Sequence, residues 1–211
     1  TFRKFTATGN TSSQIDINNA GTLNVQTGVL DIYSDTLTNT GAITIAANAI
    51  FKNSYVTILN SGSTVSGNGT LQQSNVLTVN TPLNLAAATK FNILSGNVNG
   101  SGSMNIAGTL SWSGGYLSLP VTLTTTATAT LSGYEEILKS TLTNNGTIFW
   151  KSDYLSFDDG TLINNKNFVD SATTNNNFYK YGGTGQFTNG INGVFQKSTS
   201  NAFNLGSVLF T

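Results

Sequence analysis

The sequence predicts an all-β fold, a single-stranded right-handed parallel β-helix (β-solenoid) with about 20 residues per coil. Three observations support this prediction: a recurring motif, short runs of alternating apolar and polar residues, and a composition that is rich in Gly, Asn, Thr and Ser but poor in charge. A unit this short cannot bury its own apolar residues, so consecutive units must stack. The predicted hand follows the rule that about 98% of parallel crossovers are right-handed.

The recurring motif has an apolar residue, Asn two positions later and Gly two positions after that. It occurs as INNAGTL from Ile17, LTNTGAI from Leu37, ILNSGST from Ile58 and LTNNGTI from Leu142. The starts are 20, 21 and 84 residues apart, and the last gap is four times 21. We expect Gly to supply positive φ at tight corners, and the Asn amides to bond to their counterparts in neighbouring coils.

Short alternating runs between the motifs are typical of half-buried strands. Their apolar members include Leu23/Val25, Ile43/Ile45, Val56/Ile58, Leu83/Leu85, Phe91/Ile93 and Ile148/Trp150. We expect these residues to form inward columns, with each strand pairing in parallel with its equivalent in the next coil. Trp112 and Trp150 are 38 residues apart, or two coils, and are expected in one inward column. Only Tyr134 to Lys139 has a helical pattern, too short for a stable helix.

The composition of the 211 residues excludes several classes of function. Only 9% are charged, with nine basic residues balancing nine acidic ones, and the chain has no His and no Cys. This removes disulfides, the commonest transition-metal ligands and any Ser-His or Cys-His nucleophile pair, so we expect no metal site and no cofactor. Nucleic-acid binding lacks its basic cluster, and direct membrane insertion lacks an apolar run of about 20 residues.

We expect residues 1–211 to form one solenoid domain that is a segment of a longer repeat array. FRKF from Phe2, followed by Thr8-Gly9-Asn10, resembles FYKY from Phe178, followed by Thr184-Gly185-Gln186, at an offset of 176 residues. This repeat predicts that the chain ends in the phase in which it begins. Neither terminus shows the polar cap that a solenoid needs.

Five longer segments carry a family resemblance: NAGTLNVQTGVL (Asn19 to Leu30), GTLSWSGG (Gly108 to Gly115), TLTNNGTIFW (Thr141 to Trp150), GTLINN (Gly160 to Asn165) and FYKYGGTG (Phe178 to Gly185). They resemble the solenoid repeats of very large secreted or surface-attached bacterial proteins of the adhesin-like or haemagglutinin-like type. The resemblance covers nearly the whole chain, but departs from the pattern at Lys151 to Tyr154 and after Gly185. It implies a spacer or presenter in an extracellular protein, and fold alone does not specify an activity.

The candidate ligand-binding residues are tyrosines of the C-terminal half: Tyr116, Tyr134, Tyr154, Tyr179 and Tyr181. Outward aromatic rings beside Asn can stack on sugar rings while the hydroxyl group forms hydrogen bonds. Because the chain has zero formal net charge, this surface suits neutral glycans or flat self-association better than anions. Binding to one such shallow site is expected to be weak and to vary little with salt.

Two acidic groups have structural explanations. Asp158 and Asp159, with Asp153 nearby, could suggest an enzyme that cuts acidic polysaccharides, but such a site would also need Arg or His, and the chain has only Arg3 and no His. We therefore expect a solvated turn or a loose calcium contact there. Glu135 and Glu136, with Lys139, are expected in an exposed loop between coils.

A threonine-rich run predicts an outward face of one strand, with hydroxyl groups at Thr122, Thr124, Thr126, Thr128 and Thr130. An ice-binding face would need such pairs in several consecutive coils. The neighbouring coils, taken around Asn99 to Ser111 and around Tyr134, lack them, so an ordinary exposed strand is favoured.

The sequence therefore predicts a non-enzymatic module of a secreted or cell-surface bacterial protein, acting as an adhesin stalk or presenting weak multivalent binding faces. The first alternative is a carbohydrate-binding or carbohydrate-active β-helix of the lyase or hydrolase type. The second alternative is an ice-binding face.

Overall fold

The chain winds into a three-sided parallel β-solenoid of about ten turns, with equivalent strands about 20 residues apart. A computed structural model describes residues 1–211 and contains strands β1 to β31, numbered in chain order, with no helix. Each coil contributes one short strand to each of three faces. The predicted all-β solenoid is confirmed, and its hand stays a prediction of the crossover rule.

The strands follow one another around the faces in strict rotation. The first face contains β1 (Phe2–Lys4), β4 (Thr22–Val25), β7 (Ala42–Ile45), β10 (Thr64–Ser66), β13 (Pro82–Leu85), β16 (Ser103–Ile106), β19 (Val121–Leu123), β22 (Thr141–Asn144), β25 (Thr161–Asn164), β28 (Gln186–Asn189) and β31 (Leu209–Phe210). The second contains β2 (Asn10–Ser13), β5 (Val29–Ile32), β8 (Ile50–Asn53), β11 (Thr70–Gln73), β14 (Lys90–Ile93), β17 (Thr109–Trp112), β20 (Thr128–Leu131), β23 (Thr147–Trp150), β26 (Asn167–Asp170) and β29 (Val194–Lys197). The third contains β3 (Ile17–Asn19), β6 (Thr36–Asn39), β9 (Val56–Leu59), β12 (Val76–Val79), β15 (Asn97–Asn99), β18 (Gly115–Leu117), β21 (Glu135–Leu138), β24 (Tyr154–Asp158), β27 (Asn176–Gly182) and β30 (Phe203–Asn204).

The second and third faces are unbroken ten-stranded sheets, whereas the first is divided between β10 and β13 into a four-stranded and a seven-stranded sheet. Ala42 and Thr64, the first residues of β7 and β10, donate their N–H groups to the carbonyls of Gly21 and Gly41. Pro82, the first residue of β13, has no N–H group to donate. The break in the ladder therefore coincides with a proline.

One continuous apolar core of 41 buried residues fills the interior. Its columns follow the pairing register: Leu23 pairs with Ile43, and both are fully buried. Trp112, Leu131 and Trp150 occupy one column of the second face, which confirms that the two tryptophans share an inward column. The structure has no helical segment of the length and hydrophobicity that a membrane span requires.

Asparagine side chains form ladders where strands end at corners. The Nδ2 atom of Asn19 donates to Oδ1 of Asn39 at 2.6 Å. Asn144 donates to Asn164 in the same way, and Asn164 to Asn189, each at 2.8 Å. Each buried amide thus bonds to its counterpart one coil away, as the sequence predicts.

The motif marks corners rather than a single face. Asn39 ends β6 on the third face, whereas Asn144 ends β22 on the first. The 84-residue gap before the last motif is therefore not a whole number of coils. Likewise Phe2 lies on the first face and Phe178 on the third, so the prediction that the chain ends in its starting phase is wrong.

The repeated glycines serve mainly to admit the neighbouring coil. Gly62 has the expected positive φ of 93°. Gly41 and Gly146 are not among the positive-φ glycines, but an added Cβ would lie 2.1 Å from the Gly21 carbonyl oxygen and 2.3 Å from that of Ala127, respectively. Close approach of backbones one coil apart, rather than φ, excludes a side chain at these two positions.

One alternating run has the opposite register to the predicted one. In β9 the buried side chains are Thr57 and Leu59, whereas Val56 and Ile58 face outward. The hydroxyl group of Thr57 donates to Oδ1 of Asn53 at 3.0 Å, so this polar group is satisfied inside the core. The prediction that Val56 and Ile58 face inward is therefore wrong, because hydrogen bonding rather than hydrophobicity decides the register here.

Candidate functional site

Four tyrosines from three consecutive coils border one pocket on the third face. Tyr134 lies directly before β21, Tyr154 begins β24, and Tyr179 and Tyr181 lie in β27. Ring centroids are 5.3 Å apart for Tyr134 and Tyr154, 6.3 Å for Tyr154 and Tyr179, and 6.4 Å for Tyr179 and Tyr181. Together with Glu135 the rings surround about 390 Å³.

A β-bulge contributes to the shape of this pocket. Phe157 of β24 pairs with Lys180 of β27, but the next residue, Asp158, pairs with Gly182. Tyr181 is therefore the extra residue of the bulge. Bulges re-aim side chains relative to a regular ladder, and here Tyr179 and Tyr181 are 48% and 56% exposed.

Glu135 is the one charged residue that lines the pocket. It pairs in register with Tyr154 of the next coil, and its carboxylate accepts a hydrogen bond from the hydroxyl group of Ser156. Ser156 is fully buried and pairs with Tyr179. The carboxylate is thus held against the sheet by a serine from the adjacent coil.

Tyr116, the remaining candidate tyrosine, does not line the pocket. Its ring lies 5.6 Å from the Nζ atom of Lys139, a cation–π distance. Lys139 also forms a 2.8 Å ion pair with Asp158, and this hydrogen-bonded carboxylate raises the pKa of the Lys139 ammonium group. The structure therefore brings together Tyr134, Tyr154, Tyr179 and Tyr181, and separates Tyr116 from them.

Glu136 corrects the prediction of an exposed loop between coils. It lies in β21, and its side chain is fully buried. Its carboxyl group accepts hydrogen bonds from the hydroxyl group of Ser152 and the N–H group of Gly133, while Trp150 donates to Ser152. Burial raises the pKa of Glu136 to about 7, and these hydrogen bonds oppose the rise. The charged residue type suggested exposure, but the neighbouring coils provide the donors that burial needs.

The three C-terminal aspartates have separate structural partners. Asp158 pairs with Lys139, Asp159 accepts the N–H group of Thr184 at 2.8 Å, and Asp153 accepts the hydroxyl group of Thr174. Asp159 has a positive φ of 58°, as expected for a residue at a tight turn. The three carboxylates do not converge on a point where they could hold a metal ion together.

The threonine-rich run does not form one strand, and that prediction is wrong. Thr122 lies in β19 on the first face, and Thr128 and Thr130 lie in β20 on the second. Between them Thr124 to Ala127 form a corner, closed by a hydrogen bond from the Ala127 N–H group to the Thr124 carbonyl at 3.0 Å. Five alternating residues were too long for a face that holds only four.

The neighbours of these threonines also differ from the predicted ones. Thr128 and Thr130 pair with Thr109 and Ser111 in the preceding coil and with Thr147 and Phe149 in the following coil. Tyr134 lies beyond the next corner, before the third face. A paired threonine array therefore occurs in a single coil of this face.

Comparisons of the chain with protein-family models, with curated proteins and with solved structures found no match.

Proposed function

We propose that the chain is a non-enzymatic module of a secreted or cell-surface bacterial protein, serving as an adhesin stalk that presents a weak glycan-binding site. The observation that carries this proposal is the pocket of Tyr134, Tyr154, Tyr179 and Tyr181 on a flat sheet. Tyrosine provides both an apolar ring for a sugar face and a hydroxyl group for its polar edge. The site is shallow and open, so one copy binds weakly.

The solenoid supports the role of a stalk. One core runs from Leu23 to Val208, and every coil pairs with the next through backbone hydrogen bonds. Repeat arrays of this kind are quasi-one-dimensional, so their length sets the distance at which a site is presented. Many weak sites carried on one array would act together through their effective concentration.

The proposal is tested by screening the chain against bacterial, plant and animal glycans. Tyr154→Ala removes the central ring of the pocket and is expected to abolish the binding seen with the unmodified chain. Tyr55→Ala is the matched control, because Tyr55 is an exposed tyrosine on the same face that does not line the pocket. Binding that survives Tyr154→Ala, or binding that Tyr55→Ala removes equally, would contradict the proposed site.

A carbohydrate-active enzyme remains the competing function, and it is tested separately. A glycosidase needs two carboxyl groups that face each other across a sugar, whereas Asp158 and Asp159 each have a structural partner on the adjacent coil. Incubation with acidic and neutral polysaccharides, followed by analysis of the products, distinguishes the two functions. Release of oligosaccharides that Asp158→Asn abolishes would favour the enzyme.

A further inference from the structure

The tyrosine pocket contains an unpaired negative charge. The structure has three ion pairs, Lys52–Asp31, Lys139–Asp158 and Lys197–Asp170, and none includes Glu135. The hydrogen bond from Ser156 fixes the position of the Glu135 carboxylate but does not neutralise it. Lys139, which interacts with Tyr181, is already paired with Asp158.

The rings stand as walls rather than as a flat platform. Interplanar angles are 61° between Tyr134 and Tyr154, 80° between Tyr154 and Tyr179, and 79° between Tyr179 and Tyr181. A flat sugar face stacks best on one open ring, whereas rings set at steep angles surround a rounded group. The electron-rich faces of aromatic rings attract a cation within about 6 Å of their centroids.

The electrostatic environment of Tyr134 agrees with a site for positive charge. The pKa of the Tyr134 hydroxyl group is raised, first by interaction with Tyr154, then by partial desolvation, and also by the carboxylates of Asp153 and Glu135. Two carboxylates thus act on the same ring. No lysine or arginine lines the pocket.

We infer that this pocket binds an ammonium group, and that the glycans it selects are amino sugars with a free, protonated amine. The inference rests on the proposed glycan-binding function and names the class of sugar. The ammonium group would lie between the Glu135 carboxylate and the faces of the tyrosine rings, with the sugar ring toward solvent. An N-acetylated sugar of the same length lacks the charge and leaves the carboxylate unpaired.

The test compares glucosamine, N-acetylglucosamine and glucose oligomers of equal length by calorimetric or NMR titration of the full chain. We expect glucosamine oligomers to bind about tenfold more tightly than the other two, as a cation–π contact with an ion pair allows. The preference should weaken in high salt and at a pH at which the amine is neutral. Tetramethylammonium, which does not titrate, should compete at both pH values.

Two variants make the test specific. Glu135→Gln keeps an acceptor for Ser156 but removes the charge, and it should abolish the preference for the free amine. Asp35→Asn is the matched control, since Asp35 lies at a corresponding corner of an earlier coil and outside the pocket. It should leave binding unchanged.

The outcomes separate the two proposals. Equal binding of all three oligomers, unaffected by Glu135→Gln, would overturn the amine inference and leave the glycan function standing. Binding of tetramethylammonium that depends on Glu135, without binding of any oligomer, would support the ammonium site and overturn the glycan function. Absence of binding for every probe would overturn both.

Discussion

The hydroxyl group of Ser152 donates a hydrogen bond to the buried carboxyl group of Glu136, which lies one coil earlier in the chain. The N–H group of Gly133 donates to the other oxygen of the same carboxyl group at 2.9 Å. A protonated carboxyl group can remain in this apolar corner, whereas a charged one must give up its hydration there. The protonation state of Glu136 therefore affects the stability of the coil.

We expect the protein to be more stable at pH 5 than at pH 8. The pKa of Glu136 is about 7 in the folded chain and 4.5 as its ordinary value, so the folded state holds the proton more tightly. The stabilisation is complete below pH 4.5 and is lost as the pH rises through 7. A shift of this size corresponds to about 3 kcal/mol. Denaturant unfolding at a series of pH values measures it.

Glu136→Gln is the control for this pH dependence. An amide stays neutral at all these pH values, and its oxygen can accept the hydrogen bonds from Gly133 and Ser152. The variant should therefore lose most of the difference between pH 5 and pH 8. An unchanged pH profile in Glu136→Gln would show that another group is responsible.

A second prediction concerns the buried ion pair between Asp170 and Lys197. The Asp170 side chain is fully buried, and its carboxylate also accepts a hydrogen bond from Asn176 at 2.8 Å. Lys197→Met removes the cation and leaves this charge uncompensated, which should cost about 3 kcal/mol in the free energy of unfolding. Lys139→Met breaks the exposed pair with Asp158 and should cost about 1 kcal/mol or less.

Chemical denaturation of both variants measures the difference, and equal small losses would show that Asp170 does not depend on Lys197. A double variant, Asp170→Leu with Lys197→Met, provides a further check. Because it removes both charges, it should recover much of the stability that Lys197→Met loses.

A third prediction tests the asparagine ladder with two adjacent residues. Asn164 is fully buried and donates to Asn189 while accepting from Asn144, so Asn164→Ala leaves buried polar groups without partners. This should cost about 2 kcal/mol or more. Asn165 bonds to Asn145 beside solvent, where water can replace the lost amide, so Asn165→Ala should cost less than about 1 kcal/mol. Similar losses in thermal or denaturant unfolding would contradict a specific role of the buried ladder.

The sequence predicted the solenoid and much of its core because period and alternation are local properties. Leu23 and Ile43 alternate with polar residues, recur one coil apart, and are buried as expected. Register could not be predicted where polar groups are buried. Thr57 faces inward because Asn53 accepts its hydroxyl group, and no period in the sequence reports that contact.

The pocket was predictable only as a set of tyrosines. Tyr154 and Tyr179 are 25 residues apart, longer than the usual coil, and meet because β27 follows a longer corner and contains a bulge. The burial of Glu136 likewise depends on Ser152, 16 residues away. Contacts between coils of unequal length decide both features, and a sequence period averages over such differences.

A fourth prediction tests the register directly with charged substitutions. Leu23→Asp and Ile43→Asp each place an unpaired carboxylate in the core, which costs several kcal/mol and should prevent folding. Thr126→Asp, at an exposed corner, should be tolerated within about 1 kcal/mol. Ile58→Asp is the more demanding control, since Ile58 is an isoleucine of the same motif that faces outward. Circular dichroism and unfolding curves measure these effects, and failure of Ile58→Asp to fold would show that β9 is one residue out of register.

The last prediction concerns avidity. A single pocket of about 390 Å³ that is open to solvent buries only part of one sugar residue, so one copy should bind near the millimolar range. Two copies of the chain joined in tandem should bind a long, multivalent glycan at least about 100-fold more tightly than one copy, because the second contact becomes intramolecular. Surface plasmon resonance on immobilised polysaccharide compares single and tandem chains, and Tyr154→Ala in one copy of the tandem should return the affinity to that of the single chain. A tight complex with one copy, or a tandem gain that survives Tyr154→Ala in both copies, would be incompatible with a weak site that acts through multiplicity.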